Sequence, residues 1–467
     1  MVVTAGVLGI GLGACKDDGG GDGGGTTGSA DGGTDDGDGA DDDGDVDAGD
    51  ADDGNCIAGG LGCACAEGVC SGVLFCVEDA CVMGPRVVFE DEVPDVLAGL
   101  RVPLEVDAEG ETIAWTQSAG PDVEFLTDTG TNVEINIPTS AGDGETITLE
   151  VEASLNGVTL SDSIDITIRE AVFENVFPDV TDIEELGTTD GLAFNSNGMW
   201  VVSNEGFVSF MAPANNDGDK PVPASFVERH DVGGLPAGAD FIDNDRLLIA
   251  NGMLGEVQSL NVNSGAVETH LDQIDGGDPI GGVDVPLVLN DDGDFVVSNN
   301  VDGQIIFHDT GDADDDDPVP PSTFVLASAI GDNPNAIALG PEGQGLLYVG
   351  VLDAVVRVPY ENGKLGEVST YLDLAGMCGE VDGIVFDEGG NMWVGCPATN
   401  SLFVAQYAAG GGESTSVSRS WTDVGTGISR FANVDFGRDG FSGRALYWTN
   451  LEDGTVGVLA VGLGANN

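Results

Sequence analysis

Basic residues are nearly missing from this chain: 13 Lys and Arg stand against 83 Asp and Glu, a formal net charge of −70 over 467 residues. Such a surface repels phosphate backbones and anionic lipid headgroups alike, which excludes nucleic-acid binding and direct adsorption to an acidic membrane. A cation is the more natural partner, and salt that screens self-repulsion suits so acidic a protein. Histidine is scarcer still. His230, His270 and His308 are the only three, and all lie away from the strand heads described below, so a histidine-based hydrolytic triad has no support. Also missing is any apolar run of the ~20 residues needed to cross a bilayer. The one candidate, VVTAGVLGIGLGA at 2–14, has only the length of a secretory signal's apolar region.

That region ends in Leu12-Gly13-Ala14-Cys15, which resembles the lipobox of bacterial lipoproteins and implies cleavage before Cys15 and lipid on its thiol. The alternative is an ordinary exported chain that loses Cys15 with its signal. Nine cysteines leave one over when six cluster at Cys56, Cys63, Cys65, Cys70, Cys76 and Cys81 and two stand at Cys378 and Cys396; acylation of Cys15 accounts for the odd one. The cluster has too few apolar residues for a core, so disulfides are expected to hold it, with zinc less suited to an oxidising compartment. Residues 16–55 are almost all Asp, Gly, Ala, Ser and Thr and have nothing to offset the entropy of ordering, so a solvated tether is expected there. The Lys-Asp-Asp after Cys15 resembles the sorting signal of lipoproteins sent to the outer face of the outer membrane, or is simply the start of the tether. These readings place the protein, as a monomer, at the bacterial outer membrane or cell surface, touching the membrane through its lipid alone.

Residues 85–169 alternate strictly between apolar and polar, as in TIAWTQ (112–117), VEINIP (133–138) and TITLEVEA (146–153). Period two means strands buried on one face, and several within one short segment predict a small antiparallel sandwich. Trp115, Gln117, Gly120 and Pro121 are similar to the W-x-Q-x-x-G-P core of polycystic-kidney-disease (PKD) and related immunoglobulin-like modules, which implies a spacer or weak binder.

From residue 170 a repeat sets in. DGLAFNSNGMWVVSN at 190 returns in altered form as AGADFIDNDRLLIAN at 237, VPLVLNDDGDFVVSN at 285, NAIALGPEGQGLLYVG at 335, DGIVFDEGGNMWVG at 382 and ANVDFGRDGFSGRALYWTN at 432. The central apolar residues Phe194, Phe241, Leu289, Leu339, Phe386 and Phe436 are 47, 48, 50, 47 and 50 residues apart. Strand, tight turn, strand and then one or two more at constant period describe propeller blades. Six repeats predict six blades. The sixth is one strand short, so AVFENVF (171–177) is expected to supply its outer strand and close the ring. The fold class expected is therefore all-β: a disulfide module (56–84), an immunoglobulin/PKD-like β-sandwich (85–169) and a six-bladed β-propeller (170–467). Trp200, Trp393 and Trp448 lie on second strands and read as packing residues, whereas Trp421 falls in a connecting region.

The heads of innermost strands surround a propeller's channel. Counting back from each hairpin, the head positions are Asp190, Ala237, Val285, Asn335, Asp382 and Ala432. Two carboxylates and an amide suit a hard cation, calcium or magnesium; alternatively these residues cap strands and shape turns. The run 312–317, DADDDD, reads as a solvated loop with calcium binding as the alternative.

NPNAIALGPEG (333–343) and EVDGIVFDEGG (380–390) resemble the gluconolactonase and senescence-marker-protein family of six-bladed propellers, and the likeness covers 170–467. It implies a divalent-metal-dependent lactone hydrolase with Asn335 and Asp382 as ligands, Asp190 standing for a family Glu, and calcium as the foremost cation. The family's Asn from blade three is replaced by Val285, and alternation along the strand sets neighbouring Asp284, the remaining ligand candidate, on the other face. Asp382 is the expected catalytic base, and Arg430, two residues before the head of blade six, either steadies an anionic product or is an ordinary surface arginine. A disulfide between Cys378 and Cys396 would hold the Asp382 loop. The rival expectation is a non-catalytic propeller that binds a carbohydrate, a peptide or a partner protein.

Overall fold

Hydrophobic period two, interrupted by Gly, Asn and Asp turns, dictates short strands, and the computed structural model is built of them. It describes Leu61, Cys70 and residues 74–465, apart from 90–92, 94, 177–185, 214–223, 275–277, 291, 309–321, 326–332, 342–344, 362–363, 407–414, 423–429, 439 and 452–453. The signal region with Cys15, the tether, Cys56, Cys63, Cys65 and the acidic run at 312–317 lie outside the described residues.

Six four-stranded antiparallel meanders follow one another around a ring. Blade one runs Thr189–Asn195, Gly198–Ser203, Phe207–Pro213 and Ala224–Asp231. Blades two to five begin at Pro236–Asp243, Val283–Val288, Pro334–Leu339 and Gly383–Phe386, and each adds its strands in sequence order. Blade six takes three strands from the chain's end, starting at Phe431–Phe436, and its fourth from Phe173–Asn175, which pairs antiparallel with Val456–Ala460. The closing strand expected from the sequence is thus in place. Its Phe173 meets Trp421, Phe431 and Trp448 edge-on at 5.7 to 6.3 Å. Trp421 is not in a connection: it lies on the outer strand of blade five, Val417–Thr422, stacked on Trp393. The sequence missed that strand because its alternation, VSRSWT, is mostly polar.

The residue after the strand-head position is glycine in three blades because neighbouring inner strands nearly touch at the channel. A Cβ on Gly191 would stand 2.4 Å from the Ala237 carbonyl oxygen, one on Gly238 2.6 Å from that of Asp284, and one on Gly383 2.6 Å from that of Ala432. The Asp-Gly pairs at 190–191 and 382–383 are therefore contact points between blades rather than turns. Gly383→Ala is expected to cost about 1 to 3 kcal/mol by overpacking, read as a lower denaturation midpoint; an unchanged midpoint would show that the strands can part at no cost.

The sandwich has a four-stranded sheet, Val96–Leu97, Val158–Arg169, Thr146–Leu155 and Thr112–Ala119, over a three-stranded one, Arg101–Glu105, Asn132–Asn136 and Glu124–Phe125. One pairing departs from the antiparallel expectation: Val96–Leu97 lies parallel to the end of Val158–Arg169. The Trp, Gln and Gly-Pro signature has a structural cause. Trp115 fills the core and donates to the Gly130 carbonyl, while Gln117 ties the turn by donating to the carbonyls of Ala119, Gly120 and Pro121 and accepting from Val123 N–H.

This module is docked rather than held off as a spacer. Its apolar core continues without a break into Trp393, Leu402, Phe431 and Trp448 of blades five and six. At the seam, Asn391 treats Arg101 as a strand partner, accepting from its N–H at 2.8 Å and donating to its carbonyl at 2.9 Å. Asn391 is held in turn by Asp387, which is fully buried and also accepts from Gly389 N–H and the Trp393 indole. Burial pushes the Asp387 carboxyl up to about 7 against the pull of those donors. Asn391→Ala strands Arg101 and Asp387 together, so a loss of about 3 kcal/mol is expected in chemical denaturation; a loss under about 1 kcal/mol would mean that the apolar contacts alone dock the sandwich.

Of the cysteine cluster, the described part is the hairpin Leu74–Val77 and Ala80–Met83, tied by Cys70–Cys81. Cys76 is disulfide-bonded as well, so these three are not zinc ligands.

Candidate metal centre at the channel mouth

The inner strands enclose a channel of about 520 Å³ that runs from Asp382 and Val285 at one end to Asn290 and Arg438 at the other. Around the first end, three blades deliver a partly buried carboxylate each. Asp190 comes from blade one, Asp284 from blade three and Asp382 from the start of blade five, and Glu380 stands two residues before Asp382.

Each carboxylate has its own fastening. Asn204, just past the second strand of blade one, donates to Asp190, whose carbonyl accepts from Thr449 of blade six. Asn300 reaches Asp284 at 3.4 Å. Asp382 N–H donates to the Gly395 carbonyl, and Glu380 accepts from the Asn335 amide at 2.8 Å. The disulfide Cys378–Cys396 brackets Glu380 and Asp382 and ties their loop to the end of the strand Asn391–Cys396. In the chain-entropy picture, closing a loop of this size contributes about 3 kcal/mol.

The electrostatics of this cluster are those of negative charge gathered out of water. Burial raises the Asp190 carboxyl to about 7, with Glu380 adding to the rise while Asn204 and Arg430 oppose it. Asp284 and Asp382 are pushed well above the usual carboxylate range, first by burial and then by the neighbouring carboxylates; Arg430 pulls Asp382 back. Arg430 is thus a member of the mouth rather than a plain surface residue. It adopts φ +64°, uncommon for a side chain of its size, and its N–H donates to Asn400 at 2.9 Å. A non-glycine residue held in that region by its surroundings marks stored strain of the kind that collects at functional sites.

Asp284 corrects the sequence reading. Simple alternation turns it away from the channel, yet it interacts with Asp190, Asp382 and Glu380. The reason is a β-bulge: Val283 pairs with Asn299 and Pro286 with Val297, so Asp284 and Val285 together face Ser298. The extra residue breaks the alternation and re-aims the side chain. Similar irregularities stand at the heads of the inner strands of blades one, two, four and six, so the mouth as a whole is a ring of bulges. Glu380, Asn204 and Asn300 were not found from sequence. Glu380 had a signal, an acid two places before Asp382 and so on the same side of an extended chain; Asn204 ends the VVSN segment 201–204, and Asn300 directly follows the VVSN segment 296–299.

The donors fit a hard divalent cation by two observations. All are oxygens, as calcium and magnesium prefer. And Asn335, only 5% exposed, donates through its nitrogen to Glu380 while its side-chain oxygen is buried with no hydrogen-bond partner, an unsatisfied acceptor of the sort that an ion or water meets. As the side chains stand, no three His, Cys, Asp or Glu groups among the described residues are close enough to grip one ion. Like charges in a low-dielectric mouth hold one another apart.

The histidines are elsewhere. His230 stacks on Trp200, His308 lies against Phe295, and His270 meets Ser259 at 2.8 Å. A second cavity, about 1010 Å³, opens where the sandwich meets the propeller, lined by Leu104, Val106, Glu388 and Arg444 among others. It shares no lining residue with the channel.

No protein-family model matches the sequence, and no curated protein matches it. Solved structures do share the architecture. A gluconolactonase from Xanthomonas campestris is 14% identical, covering 62% of this chain and 90% of its own at a TM-score of 0.47. A Bacteroides thetaiotaomicron protein of unknown function is 9% identical, covering 80% and 98% with a TM-score of 0.46. A streptogramin B lyase is 12% identical, covering 62% and 97% with a TM-score of 0.42. Blade count and closure in this chain rest on its own strand pairings.

Proposed function

We propose that the propeller is a divalent-metal-dependent lactone hydrolase of gluconolactonase type, with calcium the foremost cation. The chain would be carried at the outer membrane or cell surface by lipid on Cys15. The observation that carries the enzymatic reading is the buried, unsatisfied Asn335 oxygen at a mouth where Asp190, Asp284 and Glu380 act on Asp382 as like charges. A cation offsets repulsion that would otherwise cost stability, and it completes the amide.

Asp190, Asp284, Asn335 and Asp382 would hold the ion, with Glu380 steering the Asn335 amide so that its oxygen is left toward the mouth. When bound, the cation would polarise the lactone carbonyl. Asp382, whose carboxyl is raised toward the working range of a general base, takes a proton from the attacking water. Water oxygen joins the carbonyl carbon, the ring C–O bond breaks, and the proton passes to the departing alkoxide to give a hydroxy acid. Arg430, already interacting with Asp190 and Asp382, pairs with the new carboxylate.

The test is to melt the full chain with EDTA, calcium, magnesium or zinc, and to assay ring opening of simple lactones under the same conditions. A cation-dependent rise in melting temperature together with hydrolysis is expected. Stability indifferent to all three ions would remove the mechanism. A cation shift without hydrolysis would favour the rival reading, a propeller that binds its ligand without turning it over.

A further inference from the structure

Six of the nine exposed large apolar side chains among the described propeller residues gather on one face, while Val172, Val227 and Val267 lie on or beside outer strands. Leu235, Met253, Leu254, Val301, Leu352 and Met377 are each 40 to 70% exposed, and every one sits on a loop at the same face as the carboxylate mouth. They occupy the connections that lead into inner strands or out of second strands in blades two to five. The loops touch in succession: Gly252 N–H donates to the Leu235 carbonyl, Asn300 N–H to that of Gly282, and Leu374 N–H to that of Asp353. Segments 232–235, 251–255, 280–283 and 374–379 contain no charged residue, whereas the loops of Val301 and Leu352 each carry one, Asp302 and Asp353.

The apolar arc is continuous with the site. Val301 follows Asn300, which holds Asp284. Leu352 follows Val351, the strand partner of Pro334 beside Asn335. Met377 adjoins the Cys378 disulfide that brackets Glu380 and Asp382. Blades one and six complete the rim with Asn204, Glu205 and Arg430, and no exposed large apolar side chain is found on their mouth loops among the described residues. The rim is thus divided into an apolar sector and a polar sector that holds the guanidinium.

We propose that this division sets the substrate class: a lactone bearing an apolar alkyl or aryl substituent, which lies over blades two to five while its ring enters the mouth and the carboxylate formed on opening faces Arg430. The inference rests on the hydrolase reading and deepens it. A hydroxyl-rich sugar lactone would set its hydroxyls against side chains that cannot bond them, whereas a hydrocarbon chain removes them from water. Full burial of a methylene is worth roughly fourfold in affinity, and an open rim about half of that on a logarithmic scale, so about twofold per methylene is expected.

The experiment uses the calcium-loaded full chain and a ring series carrying hydrogen, butyl or octyl substituents, as lactones for hydrolysis and as the corresponding lactams, which resist it, for calorimetric binding. From hydrogen to butyl, kcat/KM and lactam affinity are each expected to rise about tenfold or more. Met253→Ser combined with Leu254→Ser, both exposed and so tolerated by the fold, flattens that dependence. Chain-length-dependent lactam binding that the double substitution removes, with no lactone hydrolysed, upholds the rim and overturns the hydrolase. Lactam affinities equal across the series, a dependence that survives the double substitution, or no lactam binding at all would each overturn the proposal for the rim.

Discussion

Asp382→Ala abolishes the calcium-dependent rise in melting temperature and lowers lactone hydrolysis by about a thousandfold, while the cation-free protein becomes more stable. The three effects have one cause. Asp382 is buried among Asp190, Asp284 and Glu380, so removing it relieves a destabilising repulsion when no cation is present. It also takes away a ligand and the group that accepts the proton of water, a role worth about a hundredfold to ten-thousandfold in rate. For the wild-type chain, a cation at a hundred times its dissociation constant stabilises by about 2.7 kcal/mol, a shift of several degrees. Paired melting curves with EDTA and calcium, beside a rate measurement, check the three effects together. A variant that kept the calcium shift would show that the ion sits elsewhere; one that lost it but hydrolysed lactones at full rate would separate ligand from base.

The second large effect is on stability against pH, and its sign is opposite to that of a salt-bridged carboxylate. Asp190 is raised to about 7, and Asp284 and Asp382 are also raised well above the usual carboxylate range, each chiefly by burial, with like charge adding to the rise. In the unfolded chain they release their protons near pH 4. Between about pH 4 and about pH 7 the native state therefore binds more protons than the unfolded one, and stability falls as pH rises. Asp435, in the middle of the channel and raised to about 6 beside Asp240, pushes the same way. At roughly 1.4 kcal/mol per unit, a loss of at least about 2 kcal/mol between pH 5 and pH 7.5 is expected in EDTA, measured by chemical denaturation. Calcium at pH 7.5 should restore it, because the ion replaces the protons. A profile flat from pH 5 to 7.5 would mean that water reaches these carboxylates freely.

Some of this was legible along the chain for reasons that lie in the chain itself. A 47-to-50-residue recurrence survives loss of individual residues because each blade must present the same two-residue alternation and the same turn to its neighbours. Counting strands against repeats then exposes the deficit in blade six that Phe173–Asn175 fills. The heads at Asp190, Asn335 and Asp382 follow by counting back from hairpins, since rise per residue along an extended strand is constant. The same counting failed at Asp284: a bulge is a disagreement between two strands, and neither strand carries it alone. Glu380 was passed over because it precedes its strand, in a loop whose path is set by the Cys378–Cys396 bridge. Trp421 was placed in a connection because an outer strand, open to solvent on much of its surface, does not need strong alternation.

What the sequence determined by itself is the class of chain: an acidic protein that repels nucleic acid, with a sandwich-forming segment ahead of six repeated blades that close on a returning strand. Periodicity is a local property, and burial demands it at every turn of the ring. The tertiary structure alone decided which oxygens share the mouth, that Arg430 belongs to it, that the apolar loops gather on one side of it, and that the sandwich is joined to blades five and six through Asn391 and Asp387. Each of those depends on cross-strand register and on contacts between residues hundreds of positions apart, which side-chain chemistry permits but linear order does not encode.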